Sequence, residues 1–405
     1  MMVVRVGIVD LISTSPDSMT RRVFLAAVAG SEARTDPPAQ HEFGMAAPVF
    51  AETQPTLQSG VETTVFGIAP TASPDTVGWP ALAAMDALVI SGSEPLSTGL
   101  ATEPSVAIID RLLHECAATT SILFSCQSAH AALHLLHGLE RHRLPRRCHG
   151  TFTHTVASES GHPGIPIGVD PPLRTALPSN SLLDDLQLLG RPEAETKSLQ
   201  LFGRADAETD HPRPSGLAET GAVDFQLRSR ADVEVDAILL AAPAHPLLID
   251  LTTPVLVPHS RWNVMSSADL RAAGVPILLD SAEAEWHLAT SPDGLRHVFL
   301  QGHPEYFADT MAREYRRDLR RWIADPARPF PDIPLHYFPE LTHARLLHHA
   351  ELVRAQRDPV LLEDFPLPSD YADTAHDWSS HSRQFFTNWL RAVEQRISPD
   401  ELLAA

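Results

Sequence analysis

The residue types best suited to covalent chemistry are one cysteine and a histidine–glutamate pair, far apart in the chain. Cys126 ends the apolar run 120–125 and begins an Ala- and Leu-rich run. A thiol between a strand and a helix gains from the helix dipole, which favours the thiolate. His303 and Glu305 follow the apolar run 298–302. In extended chain their spacing puts both side chains on one face, where the carboxylate orients the imidazole as a base. Position alone leaves open that Cys126 is a buried structural cysteine.

The elements that must position these residues alternate between strands and helices. Apolar, β-branched runs predict strands at 3–11, 87–90, 120–126 and 298–302, with a weaker strand at 64–68. Helical spacing predicts helices that start near Ser18 and at Pro104 and Gln127, and further helices at 343–357 and 378–397. Alternation of this kind predicts an α/β protein with a parallel sheet flanked by helices. Ligands bind at the carboxyl ends of such strands, so one edge can bring Cys126 and His303 together.

A turn of small residues follows the strand at 87–90. Gly92 and Ser93 lie in this turn, and its backbone N–H groups could hold an oxyanion. The N–H of Gln127, directly after the cysteine, is a second candidate donor. The turn taken alone is more typical of a plain strand-to-helix loop.

Composition excludes several classes of partner. The chain has 405 residues and a formal net charge of −20, which disfavours nucleic acids and anionic membranes. Its three cysteines form no paired framework, as expected of a reducing compartment. Neither a signal peptide nor a membrane-spanning run is apparent. We therefore expect a cytoplasmic protein, without a bound metal or nucleic-acid partner.

Several blocks carry a resemblance to a known family. They are Ala87–Pro95, Ile122–Gly138, Leu144–His154, His245–Leu248 with Pro258–Arg261, Gly302–Tyr306 with Glu314–Asp318, and Trp378–His381 with Asn388–Leu390. In this order they resemble the homoserine O-acyltransferases of the MetA type. That family has a class I glutamine amidotransferase-like (flavodoxin-like) fold.

The resemblance implies a ping-pong acyl transfer to homoserine in methionine biosynthesis. Cys126 would take the acyl group from succinyl-CoA or acetyl-CoA, a co-substrate rather than a bound cofactor. His303 would act as the base and Glu305 would orient it. The family's residues for the amino-acid substrate fall on Arg147, Ser260 and Arg317, and the family suggests a homodimer.

Some positions depart from the family and leave alternatives open. Gln127 and the three residues after it replace a Trp-Gly-Ala-Gln block, and Arg147 stands where the family has Lys. Ser97 falls at the position that, in the family, distinguishes acetyl from succinyl donors. Its small side chain favours a succinyl donor, although Glu94 could fill the same space. The open alternatives are acylation of serine or a related amino alcohol, a Cys-His-Glu amidotransferase or hydrolase, and an inactive relative with a binding role.

A large insertion is predicted at residues 157–242, within a single acyltransferase domain spanning 1–405. Alternating patterns at 223–228 and 233–240 predict strands, so we expect the insertion to be partly ordered. Its His162 and His211, like the later His245, lack the spacing of metal ligands and are interpreted as surface residues.

Overall fold

The computed structural model describes residues 3–15, 18–30, 50–53, 55–58, 60–69, 72–95, 99–157, 245–365 and 378–398. The chain divides into two compact units, and all of these residues lie in the larger one, formed by residues 1–164 and 243–405. The predicted insertion and its two strands fall outside the described residues apart from Ala157. The insertion and the single-domain arrangement therefore stay predictions.

The described residues form a sheet of eleven strands. These are β1 (Val4–Asp10), β2 (Phe50–Glu52), β3 (Thr56–Gln58), β4 (Val61–Ile68), β5 (Ala87–Ile90), β6 (Ser121–Ser125), β7 (His142–Val156), β8 (Val255–Val264), β9 (Ile277–Asp280), β10 (Leu288–Thr290) and β11 (His297–Leu300). Their order is β2-β4-β1-β5-β6-β11-β10-β9-β7-β8, with β3 beside β4. The strand predicted only weakly near residue 64 is thus the full-length β4.

The centre of the sheet is parallel and its flanks are antiparallel. Strands β4, β1, β5, β6 and β11 run parallel, whereas β2, β3 and the series β10, β9, β7 and β8 pair antiparallel. The predicted α/β class, with helices flanking a parallel sheet, is confirmed for the centre. The antiparallel flank from β9 through β11 adds to this predicted centre, because its short connections leave no room for crossover helices.

Eight α-helices lie in the described part of the chain. They are α1 (Met19–Ala29), α2 (Trp79–Ala83), α3 (Pro104–Glu115), α4 (Gln127–His137), α5 (Ser267–Ala272), α6 (Thr310–Ala324), α7 (Glu340–Gln356) and α8 (Ser379–Ile397). Ser18 caps α1, since its side chain accepts a hydrogen bond from the backbone N–H of Arg21. None of the helices described is long and apolar enough to cross a membrane.

The central strands are buried on both faces of the sheet. This packing holds β6, the strand that leads to Cys126, in place. Leu88 and Phe124 belong to the apolar cluster on one face of the sheet, and their neighbours Val89 and Leu123 belong to the cluster on the other. Successive side chains of a strand point to opposite faces, so β5 and β6 join both clusters. Helix α4 packs on the first cluster and α8, through Trp389, on the second.

Candidate active site

Cys126 occupies a strained turn between β6 and α4. Its backbone has φ 54° and ψ −111°, a region that costs a non-glycine residue free energy and is found mainly at functional sites. Its N–H donates to the carbonyl of Leu300, 2.7 Å away. The hydroxyl of Ser128 lies 2.9 Å from the carbonyl oxygens of Ile90 and Ser125. The ends of β5, β6 and β11 therefore hold the turn in place.

His303 lies beside this cysteine and is held by Glu305. The Nδ1 atom of His303 is 2.8 Å from Oε1 of Glu305, and both residues are buried. Burial lowers the pKa of His303, but the nearby Cys126 and Glu305, each also hydrogen-bonded to it, raise that pKa well above its ordinary value. Because Nδ1 faces the glutamate, Nε2 is left for the thiol. This pairing of thiol, imidazole and carboxylate can activate a nucleophile.

The His303–Glu305 contact arises from a turn rather than from an extended chain. The backbone N–H of Tyr306 donates to the carbonyl of His303 at 3.2 Å, and β11 ends at Leu300, before either side chain. The predicted pairing is therefore present, but the expectation of an extended backbone is wrong. The turn folds the carboxylate back onto the imidazole.

Of the four residues predicted near the oxyanion, the structure brings Gly92 and Gln127 to the cysteine. A Cβ atom on Gly92 would lie 3.3 Å from Cβ of Cys126 and 3.5 Å from the backbone nitrogen of Gln127. The missing side chain thus lets the β5 turn approach the nucleophile closely. Ser93 is the next residue of this turn and is partly buried, whereas Ser97 lies outside the described residues.

Two of the three predicted substrate residues meet in a half-buried polar cluster. Arg147 donates to Ser260 Oγ at 2.6 Å, to Glu314 at 3.0 Å and to Asp318 at 2.7 Å. Ser260 also donates to Glu314, at 2.6 Å. Both terminal nitrogens of Arg147 are thereby engaged with protein oxygens.

Arg317, the third predicted substrate residue, is more open. Its side chain is 40% exposed, and its Nε donates to Asp318 at 3.1 Å. The alternative that it pairs with Glu314 along the helix does not hold, because the hydrogen bonds of that carboxylate go to Arg147, Ser260 and Tyr306. Arg317 is therefore better placed than Arg147 to take a ligand's carboxylate.

Glu314 and Tyr306 are the site residues that sequence reasoning missed. Tyr306 stacks on His303, with ring centroids 4.4 Å apart, and its hydroxyl donates to Glu314 at 2.9 Å. Burial works to raise the pKa of Glu314, but contacts with His149, Arg147 and Ser260 hold it well below its ordinary value. The Glu-Tyr-Arg-Arg-Asp block was the available signal, yet nothing local in it shows that Glu314 faces residues more than fifty positions away.

Three buried histidine rings pack behind the pair. His154 and His259 stack with centroids 5.1 Å apart, and His287 lies edge-on to His154 at 5.5 Å. Burial lowers the pKa of all three, that of His154 to about 4. A Cβ atom on Gly302 would lie 2.7 Å from Nε2 of His259, so the chain before His303 needs a glycine. The described residues hold no group of three or more His, Cys, Asp or Glu arranged to bind a metal.

The fold is of the α/β class, and it places a strained cysteine at a strand-to-helix turn, beside a buried histidine–glutamate pair. This arrangement is one in which a thiol can be activated as a nucleophile. The sequence comparison makes this class specific. The model of the homoserine O-succinyltransferase family matches residues 81–164 and 237–398, more than half of the chain. The chain belongs to this family and is thus an acyltransferase, and the resemblance drawn from its motifs is confirmed.

Individual relatives agree with the family. The chain is 28% identical to a homoserine O-succinyltransferase of Methylorubrum extorquens, over 80% of this chain and 72% of the relative. A homoserine O-succinyltransferase of Thiothrix nivea is 38% identical over 39% of this chain and 44% of its own length. A homoserine O-succinyltransferase of Thiobacillus denitrificans is 40% identical over 37% of this chain and 42% of its own length. The latter two matches thus span less than half of the relative.

One solved structure, a glutamine amidotransferase from Thermotoga maritima, aligns over 98% of both chains at 9% identity and a TM-score of 0.35. A similarity of this size carries no argument. The fold class rests instead on the strand order and the flanking helices.

Proposed function

We propose that this protein transfers an acyl group from an acyl-CoA thioester to the hydroxyl of L-homoserine, through an acyl group held on Cys126. The observation that carries the proposal is the strained Cys126 beside His303, whose other ring nitrogen is held by Glu305 at 2.8 Å. The family to which the chain belongs supports the acceptor and the reaction class. Homoserine acylation is a step towards methionine.

In the first half-reaction the sulfur of Cys126 attacks the thioester carbonyl. A new sulfur–carbon bond forms, coenzyme A leaves as its thiolate, and His303 passes it the proton taken from Cys126. The negative charge on the carbonyl oxygen develops next to the N–H of Gln127 and the turn at Gly92 and Ser93. Backbone donors fixed in this way favour the transition state because they need no reorganisation.

In the second half-reaction the acceptor hydroxyl attacks the acyl group on Cys126. His303 takes the hydroxyl proton, the ester bond forms, and the cysteine leaves as the thiolate. Glu305 keeps Nδ1 of the imidazole occupied in both steps, so Nε2 carries the proton. No redox step or additional cofactor is needed for the atoms to balance.

The acceptor site is assigned to the polar cluster on β7, β8 and α6. Arg317 binds the α-carboxylate, since a guanidinium fork matches two carboxylate oxygens. Arg147 and Ser260 shape the same site, and the carboxylates of Glu314 and Asp318 offer negative charge for an α-ammonium group. An amino acid with a side-chain hydroxyl fits this charge pattern.

The names of the relatives favour succinyl-CoA over acetyl-CoA as the donor. Ser97, predicted to influence this choice, stays a prediction, as do a homodimer and a cytoplasmic location. Serine as acceptor is the nearest alternative, because it differs from homoserine by one methylene group. With water as the acceptor, the same Cys126, His303 and Glu305 would catalyse hydrolysis of the acyl group.

The test is to incubate the protein with succinyl-CoA or acetyl-CoA and locate the added mass on its peptides. We expect one acyl group on Cys126, released by homoserine faster than by serine or water. Cys126→Ala should form no adduct, and Cys116→Ala serves as the matched control because Cys116 is buried beyond α3. A wild-type protein that forms no adduct with either donor would refute the proposal.

A further inference from the structure

The chain changes its hydrogen-bonding partner just before the proposed base. The backbone N–H of Gln301 donates to the carbonyl of His287, the residue before β10, at 2.9 Å. The backbone N–H of His303 instead donates to the carbonyl of Pro258 in β8, 2.7 Å away. Gly302 is thus the residue at which the chain leaves β10 for β8.

A side chain supplies the hydrogen-bond acceptor at this point. The backbone N–H of Gly302 donates to Nδ1 of His287 at 3.3 Å. His287 is 3% exposed, and its ring lies edge-on to the rings of His154 and His259. Since a buried backbone N–H without an acceptor costs stability, the ring nitrogen takes the place that a carbonyl has within a sheet.

The protonation state of His287 suits this role. Because Nδ1 accepts a hydrogen bond, it carries the lone pair, and the ring proton lies on Nε2. Burial lowers the pKa of His287 well below its ordinary value, and the positive charges that His154 and His303 can carry lower it further. The ring is therefore neutral at neutral pH, and its Nδ1 remains an acceptor.

The peptide at Gly302 has little room to adjust. A Cβ atom at this position would lie 2.6 Å from Cγ1 of Val257 and 2.7 Å from Nε2 of His259. Strand β8 therefore packs directly against this peptide, while His287 holds its N–H. A rotation of the peptide would move the next residue, which is the proposed base.

We infer that His287 is a positioning residue that, through the Gly302 peptide, fixes the placement of His303. The inference rests on the pairing of Cys126 with His303 in the proposed function, and it holds for any acyl donor or acceptor. His287 acts through the backbone of its neighbour rather than by contact with the acyl group. A shift of a catalytic group by about 1 Å slows a reaction by as much as about a hundredfold, so a single backbone hydrogen bond is enough to matter.

Substitution by asparagine and by leucine separates positioning from packing. His287→Asn places its side-chain oxygen near the site of Nδ1 and keeps an acceptor, whereas His287→Leu fills the space with apolar atoms and has none. Alkylation of Cys126 by iodoacetamide at about pH 7 reports the thiolate paired with His303, because an unpaired thiol is mostly protonated at that pH. We expect His287→Leu to react about tenfold more slowly than the wild-type protein, and His287→Asn to stay within about threefold of it.

Urea denaturation of the same variants is the control for packing. If His287 only filled space, leucine would be the milder change, since a buried amide costs more than a buried apolar group, and alkylation would be at least as fast in His287→Leu as in His287→Asn. That result overturns the inference. Should His287→Leu fail to fold, His287→Phe keeps an aromatic ring without the acceptor, and the same slow rate is expected of it.

The two proposals fail in different ways. Alkylation does not involve an acyl group, so faster alkylation of His287→Asn than of the variants without an acceptor supports the positioning role by itself. Absence of any acyl adduct on the wild-type protein overturns the proposed function and leaves that order of rates unaffected.

Discussion

The ring of Tyr306 lies almost flat on the imidazole of His303, with centroids 4.4 Å apart and planes 18° apart. The hydroxyl of the same tyrosine donates to Glu314, which also accepts from Arg147 and Ser260. One side chain therefore joins the proposed base to the proposed acceptor site. A change in the polar cluster can reach the imidazole through this ring.

Replacing Tyr306 should separate the two contacts. Tyr306→Phe keeps the ring and loses the bond to Glu314, so we expect a higher KM for the acceptor and little change in the rate of enzyme acylation. Tyr306→Leu loses the stack as well. An aromatic stack contributes about 1 kcal/mol, so acylation should slow by about fivefold, measured in single turnovers with acyl-CoA. Equal acylation rates in the two variants would show that the stack does not position His303.

The positive φ of Cys126 predicts a gain in stability on substitution by glycine. Cys126→Gly and Cys126→Ala both remove the thiol, but glycine alone adopts φ 54° without strain. Strain of this type costs about 1–3 kcal/mol, part of which is offset by the greater freedom of glycine in the unfolded chain. Chemical denaturation should show Cys126→Gly to be about 1 kcal/mol more stable than Cys126→Ala. The reverse order would mean that the turn is unstrained.

The two arginines of the acceptor site should respond differently to the same change. Arg317→Gln should raise the KM for the acceptor by about tenfold or more, because a charge-assisted bond to the carboxylate is lost. Its effect on stability should be small, since the side chain is 40% exposed. Arg147→Gln leaves the carboxylates of Glu314 and Asp318 facing each other without the cation between them. We expect it to lower the free energy of unfolding by roughly 3 kcal/mol.

Steady-state kinetics and denaturation of both variants check this difference. Arg147→Lys is the control for charge without the fork: it should recover part of the stability lost in Arg147→Gln. Similar stability losses at Arg147 and Arg317 would contradict the assignment of a structural role to the first and a ligand role to the second.

The buried histidines predict a loss of stability in acid. Burial lowers the pKa of His154 to about 4 and that of His130 to about 3. The unfolded chain takes up these protons near pH 6.5, whereas the folded protein does so only at the lower values. The free energy of unfolding should therefore fall as the pH drops from about 6.5 to about 4, by up to about 1.4 kcal/mol per pH unit for each histidine.

His154→Leu removes one of these titrating groups. Its unfolding free energy, measured in urea at several pH values, should depend less steeply on pH than that of the wild-type protein in the same range. The absolute stability at neutral pH is not the test, since the leucine repacks the ring cluster. Equal slopes would show that folding does not lower the pKa of His154.

Local signals were sufficient for the central parallel strands and for selecting Cys126, His303 and Glu305 as candidates. The junction at Cys126 was predictable because an apolar run, a cysteine and an Ala-rich run follow one another, and β6 and α4 lie within two residues of the predicted bounds. The approach of Gly92 to the turn at Cys126 was also predictable, because both follow parallel strands and ligands bind at the carboxyl ends of such strands.

The non-local parts could not be predicted in the same way. The pairing of Arg147 with Glu314 joins residues 167 positions apart, and no local pattern encodes it. The hydrogen bond from Arg141 to Gln127 likewise depends on how the chain after α4 returns towards β7. Strands β9 and β10 were missed because they are only four and three residues long. Such short runs carry little periodicity.

The ladder between β6 and β11 has a consequence for how the chain can be divided. Val298 pairs with Leu123 and Leu300 with Ser125, so the cysteine and the histidine are brought together by interstrand hydrogen bonds. The two paired strands lie on either side of the segment 158–244 in sequence. A pair of separately expressed fragments, cut within that segment, would retain every contact assigned to catalysis. The protein is therefore a natural starting point for a split enzyme whose activity reports the reassembly of its halves.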